Sequence, residues 1–176
     1  NLLYTFVCAS SKIIFRKYMQ IPGHIFKPYD IRGLVETELS EEIAYRVGRA
    51  FLRLLRKEGT LSKEKKLLVA RDMRPTSPLY AQAIIRACQD AGVDVVDIGM
   101  VSSPVFNFAC LEFPWSLGGI IVTASHNPAA YNGFKITRAN GSPVGEGSGM
   151  EFIAQDVIEG NIDEISPQKG ICTNMD

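Results

Sequence analysis

The chain has 176 residues, of which 46 % are hydrophobic and 22 % charged, and its 19 basic and 19 acidic side chains cancel. A length near that of one domain, able to bury about 70 % of the surface its unfolded chain exposes, together with this composition, excludes a disordered or fibrous class. No run of Lys or Arg offers the cationic stripe that a polyphosphate backbone requires, and no apolar run approaches the roughly 20 residues of a membrane span, so neither nucleic acid nor membrane is an expected partner.

Leu2 to Ala9 is a short apolar stretch, but Lys12, Arg16 and Lys17 follow it, whereas a secretory signal places its positive charge first. Residues 1–20 are therefore expected to be a leader of uncertain order, with weak membrane targeting as the alternative. After Pro28, short β-rich runs alternate with longer segments of helical period, which predicts an α/β class of βαβ units around a mainly parallel sheet. Ser40 before Glu41 and Glu42 is a cap with acidic first-turn residues, and Ile43, Val47, Ala50, Phe51 and Leu54 recur at helical spacing up to Gly59. Leu67 to Ala70 then reads as a strand that ends in the charged cluster Arg71, Asp72, Met73 and Arg74.

Ser77-Pro78 supplies a cap and a first-turn proline for a helix that stops at Gly92, and Val93 to Ile98 is the next strand. Ser103-Pro104 repeats the device for a helix to about Glu112. Gly118 to Thr123 reads as a buried strand, Gly133 to Thr137 as another, Asn140-Gly141 as a tight turn, and Ser148 to Glu159 as a last helix closed by Gly160. Residues 21–165 are thus expected to form one domain. Residues 166–176, with little periodicity and no caps, are expected to be a linker toward a further domain.

Cys8, Cys88, Cys110 and Cys172 are scattered without a C-x-x-C pair, and only His24 and His126 could join them. Neither a zinc site nor a disulfide framework is indicated, and buried or incidental thiols in a reducing, cytoplasmic setting are the expectation.

The residues with most chemical content are Thr123-Ala124-Ser125-His126-Asn127-Pro128, just past a hydrophobic strand, followed by Tyr131-Asn132-Gly133-Phe134-Lys135. They place a hydroxyl in a loop at a strand end, where backbone N–H groups can hold a phosphate. In open parallel sheets ligands gather outside the carboxyl ends of the strands, so this loop and the Arg71 to Arg74 cluster point at one crevice. A phosphorylated Ser125 would carry about −1.5 to −2 charge and need cations and donors, for which His126, Asn127, Lys135 and the upstream arginines are available.

The Thr-Ala-Ser-His-Asn-Pro loop resembles the active-site serine loop of the α-D-phosphohexomutases, the phosphomannomutase/phosphoglucomutase type. Tyr29-Asp30-Ile31-Arg32-Gly33 and Ala70-Arg71-Asp72-Met73-Arg74 agree with that family's first domain in order and spacing, as do Asp90 to Val93 and Gly118 to Thr123. The resemblance runs from about Ile25 to the end. It implies a three-layer α/β/α domain I with a mixed, mainly parallel sheet, and a reversible phosphoryl transfer between C1 and C6 of a hexose phosphate, through a hexose 1,6-bisphosphate intermediate. By motif position, Ser125 would hold the phosphoryl group and offer its phosphate oxygen as one Mg²⁺ ligand. Arg32 and Lys135 would stand near the reacting oxygens, with His126 and Asn127 beside the serine. The family takes its other metal ligands from an aspartate-rich loop of its second domain, and this chain has no Asp-x-Asp. The isolated domain is therefore expected to be inactive without further domains.

Plainer readings stand beside these. Arg71, Asp72 and Arg74 suit internal pairing better than substrate contact. Arg32 before Gly33 could cap a turn, and Lys135 could be an edge-strand lysine that blocks aggregation. A non-catalytic sugar-phosphate-binding module is the main rival function. A serine hydrolase is weaker, since the G-x-S-x-G elbow is absent, His126 is the serine's own neighbour, and His24 is the only other candidate base.

Overall fold

A computed structural model describes residues 21–175; the expected leader lies outside them. Chain order is β1 (Ile31–Leu34), α1 (Glu41–Lys57), β2 (Lys66–Arg71), α2 (Ser77–Asp90), β3 (Val95–Met100), α3 (Ser103–Glu112), β4 (Ser116–Val122), β5 (Tyr131–Arg138), α4 (Met150–Glu159) and β6 (Cys172–Asn174). The sheet order is β1-β5-β4-β2-β3-β6. β4, β2, β3 and β6 run parallel, while β5 is antiparallel to both β4 and β1. This is the mainly parallel α/β sheet that the alternation of periods predicts, made mixed by β5 as the resemblance implies.

α1 begins because the Ser40 hydroxyl accepts the Ile43 N–H at 3.3 Å, with Glu41 and Glu42 complementing the positive end of the helix. Ile43, Val47, Ala50, Phe51 and Leu54 are buried in one core with α2, α4 and one sheet face. Gly48 permits the close crossing of α1 and α2, since a Cβ there would stand 2.9 Å from that of Ala87. Phe51 is fully buried, so truncating it would cost about 3–5 kcal/mol. On the opposite face a smaller core joins Phe106, Ala109 and Cys110 of α3 to Leu68, Ala70, Val96 and Ile121. Helices thus cover both faces, and every residue of the interior strand β4 is buried.

Several boundaries differ from expectation. Thr76 and Ser102, not Ser77 and Ser103, stand at the caps, because the serines already lie in the first turn with their prolines. α4 starts at Met150, two residues late, with Gly149 in a positive-φ cap at φ 114°. Part of the expected linker is a strand: Cys172 to Asn174 add to the edge of β3. Before it, the irregular segment is tied to α1, as Arg49 donates to the Asp163 carbonyl at 2.7 Å and Arg53 to the Asp163 carboxylate at 2.6 Å. β1 was not anticipated, being four residues long and defined by its pairing with β5. Cys88 and Cys110 are buried free thiols, both pushed up to about 12 by burial, and Cys172 is an exposed free thiol.

Candidate active site

β2 and β4 are parallel neighbours, and Arg71 at the end of one stands opposite Val122 at the end of the other. Their following loops, Asp72 to Thr76 and Thr123 to Ala130, therefore leave the sheet side by side at its carboxyl edge. The hydrophobic run of β4 stops at buried Thr123 and Ala124, and the chain then turns out so that Ser125 and His126 are exposed. The turn requires left-handed backbone at Ser125, φ 53°, the one non-glycine residue with positive φ among the described residues. Thr123 Oγ1 accepts the Ser125 N–H at 2.9 Å, and the Asn127 N–H reaches the Ala124 carbonyl at 3.0 Å.

Arg74 fixes the outer part of this loop. Its guanidinium donates to the carbonyl oxygens of Asn127 (2.6 Å), Pro128 (2.9 Å), Tyr131 (2.9 Å) and Ser125 (3.2 Å). Asp72 orients it, accepting from Arg74 Nε at 3.2 Å and from the Arg74 backbone N–H at 3.0 Å. The Ser77 hydroxyl donates to the same carboxylate at 2.6 Å, and buried Asn132 donates in turn to Ser77 Oγ at 3.0 Å. Asp72 and Arg74 pair internally, as their sequence suggests. The new element is the partner, four carbonyls of the serine loop.

Arg32 and Lys135 are brought together from strands that pair through their register. Ile31 faces Phe134, so the next step outward sets Asp30 opposite Lys135. The Asp30 carboxylate, 4 % exposed as a residue, accepts on Oδ2 from Lys135 Nζ at 2.6 Å and from Arg32 Nε at 2.9 Å, and pairs with Arg32 Nη2 at 2.7 Å. Arg32 also donates to the Asn127 side-chain oxygen at 2.7 Å, which ties the pair to the serine loop. Arg32 lies inside β1 and caps no turn, and β5 lies between β1 and β4, so Lys135 is not an edge lysine.

His126 is exposed, and its ring has no hydrogen-bond partner among the described residues. His24 is bonded to Glu38 at 2.6 Å, which leaves the hydrolase reading without an observed base for Ser125. Asp30 and Asn132 are the participants that sequence reasoning passed over as site residues, although both stand within the quoted motifs, and Arg74, expected at the crevice, is engaged by the loop's carbonyls.

Among the described residues, no group of three or more His, Cys, Asp or Glu is placed to hold a metal. Asp30 and Asp72 are the carboxylates bonded into this network, and both are engaged by cations. Mg²⁺ asks for several hard oxygen ligands in octahedral array, so this donor set does not by itself fit the ion. The Ser125 side chain stands exposed on the sheet's carboxyl rim, while Arg74 holds the loop's carbonyls and Arg32 its Asn127 side chain. No helix among the described residues is long and apolar enough to cross a membrane.

Residues 23–161 match the family described as phosphoglucomutase/phosphomannomutase, alpha/beta/alpha domain I. A phosphomannomutase of Klebsiella pneumoniae is 40 % identical over 144 residues, covering 82 % of this chain and 87 % of that protein. A phosphomannomutase of Escherichia coli is 40 % identical over the same length, but the match spans only 30 % of it. A solved phosphoglucomutase/phosphomannomutase family protein of Burkholderia thailandensis superposes with a TM-score of 0.75 at 34 % identity, covering 89 % of this chain and 34 % of that one. The chain thus spans about a third of the length of two of these three relatives. With the family matched over residues 23–161 and the fold shared, the chain belongs to the phosphohexomutase family, in which it corresponds to the α/β/α domain I.

Proposed function

We propose that this chain supplies the phosphoserine-bearing domain of an enzyme that moves a phosphoryl group reversibly between C1 and C6 of a hexose phosphate. The observation that carries the reading is Ser125 itself: an exposed hydroxyl on left-handed backbone, in a loop clamped by Arg74 and bonded through Asn127 to Arg32. In the forward step the sugar hydroxyl oxygen attacks phosphorus as the bond from phosphorus to Ser125 Oγ breaks. The proton lost by the sugar hydroxyl is matched by the one the departing Ser125 Oγ takes up, and in the return step that serine proton passes back to the sugar oxygen that is freed. In the return step Ser125 Oγ attacks the other phosphate of the hexose 1,6-bisphosphate, which restores phosphoserine and frees the isomeric monophosphate. Phosphoryl transfer depends chiefly on in-line positioning and charge neutralisation. Lys135 and Arg32 supply the positive charge, and Asn127 steadies Arg32 against the loop.

Mg²⁺ is the implied cofactor, and it would withdraw charge from the transferring phosphoryl oxygens. This chain offers it one ligand, an oxygen of the Ser125 phosphate, the others belonging to further domains of the enzyme. The free thiols suit a cytoplasmic setting. A second reading, a sugar-phosphate-binding module without turnover, is favoured by one observation, the lack of a metal donor set among the described residues.

Turnover is best measured in a chimera in which residues 23–161 replace the matching stretch of the Escherichia coli relative, supplied with hexose 1,6-bisphosphate and Mg²⁺. Phosphate recovered on Ser125 and mutase activity lost in Ser125→Ala support the enzyme reading. A folded chimera that carries phosphate elsewhere, or that turns over equally with alanine at 125, refutes it. A folded chimera that binds hexose phosphate but never labels Ser125 establishes the binding module instead.

A further inference from the structure

The Asp30 carboxylate has no role in the reaction just described, yet it is the most buried charge in the site and the point on which both cations converge. Hydrogen bonds from Arg32 Nε at 2.9 Å and Lys135 Nζ at 2.6 Å, and an ion-pair contact from Arg32 Nη2 at 2.7 Å, meet on the single oxygen Oδ2. We propose that Asp30 is a positioning residue of the phosphoryl-transfer site, holding Arg32 and Lys135 side by side so that each phosphate of the sugar meets the same fixed pair of cations.

Donor arithmetic makes this workable. A guanidinium carries five N–H groups and an ammonium three. Arg32 uses its Nε–H for Asp30 and one N–H on Nη1 for Asn127, with Nη2 in ion-pair contact only, and Lys135 uses one N–H for Asp30. Three N–H groups therefore remain on Arg32 and two on Lys135, enough to bind phosphate oxygens without releasing the carboxylate. Charge arithmetic adds a second consequence. Two cations and one anion leave a net charge of about +1, which binds phosphate while still allowing the bisphosphate to depart or turn. Without the carboxylate the pair would be about +2, free to move, and more attractive to any phosphate in its ground state. Uniformly tighter binding of that kind does not accelerate transfer.

Although the idea rests on the mutase reading, its first test needs no turnover. In the chain itself, nitrogen NMR should show Arg32 Nε and Lys135 Nζ protons protected from rapid solvent exchange. In Asp30→Asn that protection should vanish and inorganic phosphate should bind about three- to tenfold tighter, whereas Asp30→Glu should restore part of the protection. Wild-type Lys135 protons that exchange like those of a free lysine would overturn the proposal even if Asp30→Asn did not fold. So would unchanged protection in a folded Asp30→Asn chain. In the chimera, Asp30→Asn should lower kcat at least about tenfold while KM falls or holds. A KM that rises with kcat intact would count against positioning. If Ser125→Ala still turned over, the mutase reading would fall, and the NMR result would continue to judge Asp30.

Discussion

Replacing Ser125 by glycine should make the protein more stable while removing the atom proposed to carry the phosphate. Ser125 adopts φ 53°, and the bonds that hold it run through its backbone: its N–H to Thr123 Oγ1, and its carbonyl oxygen from Arg74. The exposed side chain can therefore be removed without breaking those contacts. Left-handed backbone costs an L residue about 1–2 kcal/mol, and the greater freedom of glycine in the unfolded chain offsets about 0.5–1 kcal/mol of the relief. The net gain is about 0.5–1 kcal/mol, which for a chain of this size raises the melting midpoint by about 1–4 °C. Ser125→Ala retains the Cβ and the strain, and should stay within about 0.5 kcal/mol of the parent. Thermal and urea unfolding of the three proteins, followed by circular dichroism, decides the matter. A glycine variant that melts no higher than the alanine variant would show that the turn stores no strain at this residue. The reasoning from φ would then be wrong.

Arg74→Ala removes donors from four carbonyl oxygens, of which water can recover part, and should destabilise by about 1–3 kcal/mol. The Asn127 and Tyr131 amides, bonded inside the loop, should exchange hydrogen at least about tenfold faster; unchanged exchange would mean that the clamp is dispensable. Acid should weaken the tie between α1 and the segment after α4. Burial alone would raise the Asp163 carboxyl, but the bonds from Arg56 and Arg53 outweigh it and hold its pKa below the usual carboxylate value. A depressed folded pKa stabilises fully above the unfolded value of about 3.9 and is lost as pH falls through the folded one. Urea midpoints from pH 7 to 3 should thus fall below about pH 4 in the parent, and less steeply in Asp163→Asn; parallel curves would exclude Asp163 from the acid response.

Local patterning was enough for the helices, the core strands and the loop that presents the hydroxyl. Ser40 as a cap, the 3.6-residue recurrence from Ile43 to Leu54, and an apolar run broken at Thr123 are each written in neighbouring residues, and short-range sterics and burial act on neighbours. The motifs around Arg32, Arg74 and Ser125 likewise marked the family and its sheet edge. What stayed hidden were relations between distant segments. Ile31 to Leu34 is too short to declare itself a strand until β5 pairs with it, and Cys172 to Asn174 become one only against β3. Asp30 meets Lys135 across 105 residues because the register of β1 on β5 sets them opposite. Arg74 finds the carbonyls of the serine loop because β2 and β4 end level. Strand register decides which charges share an oxygen, and register exists only once the sheet has assembled.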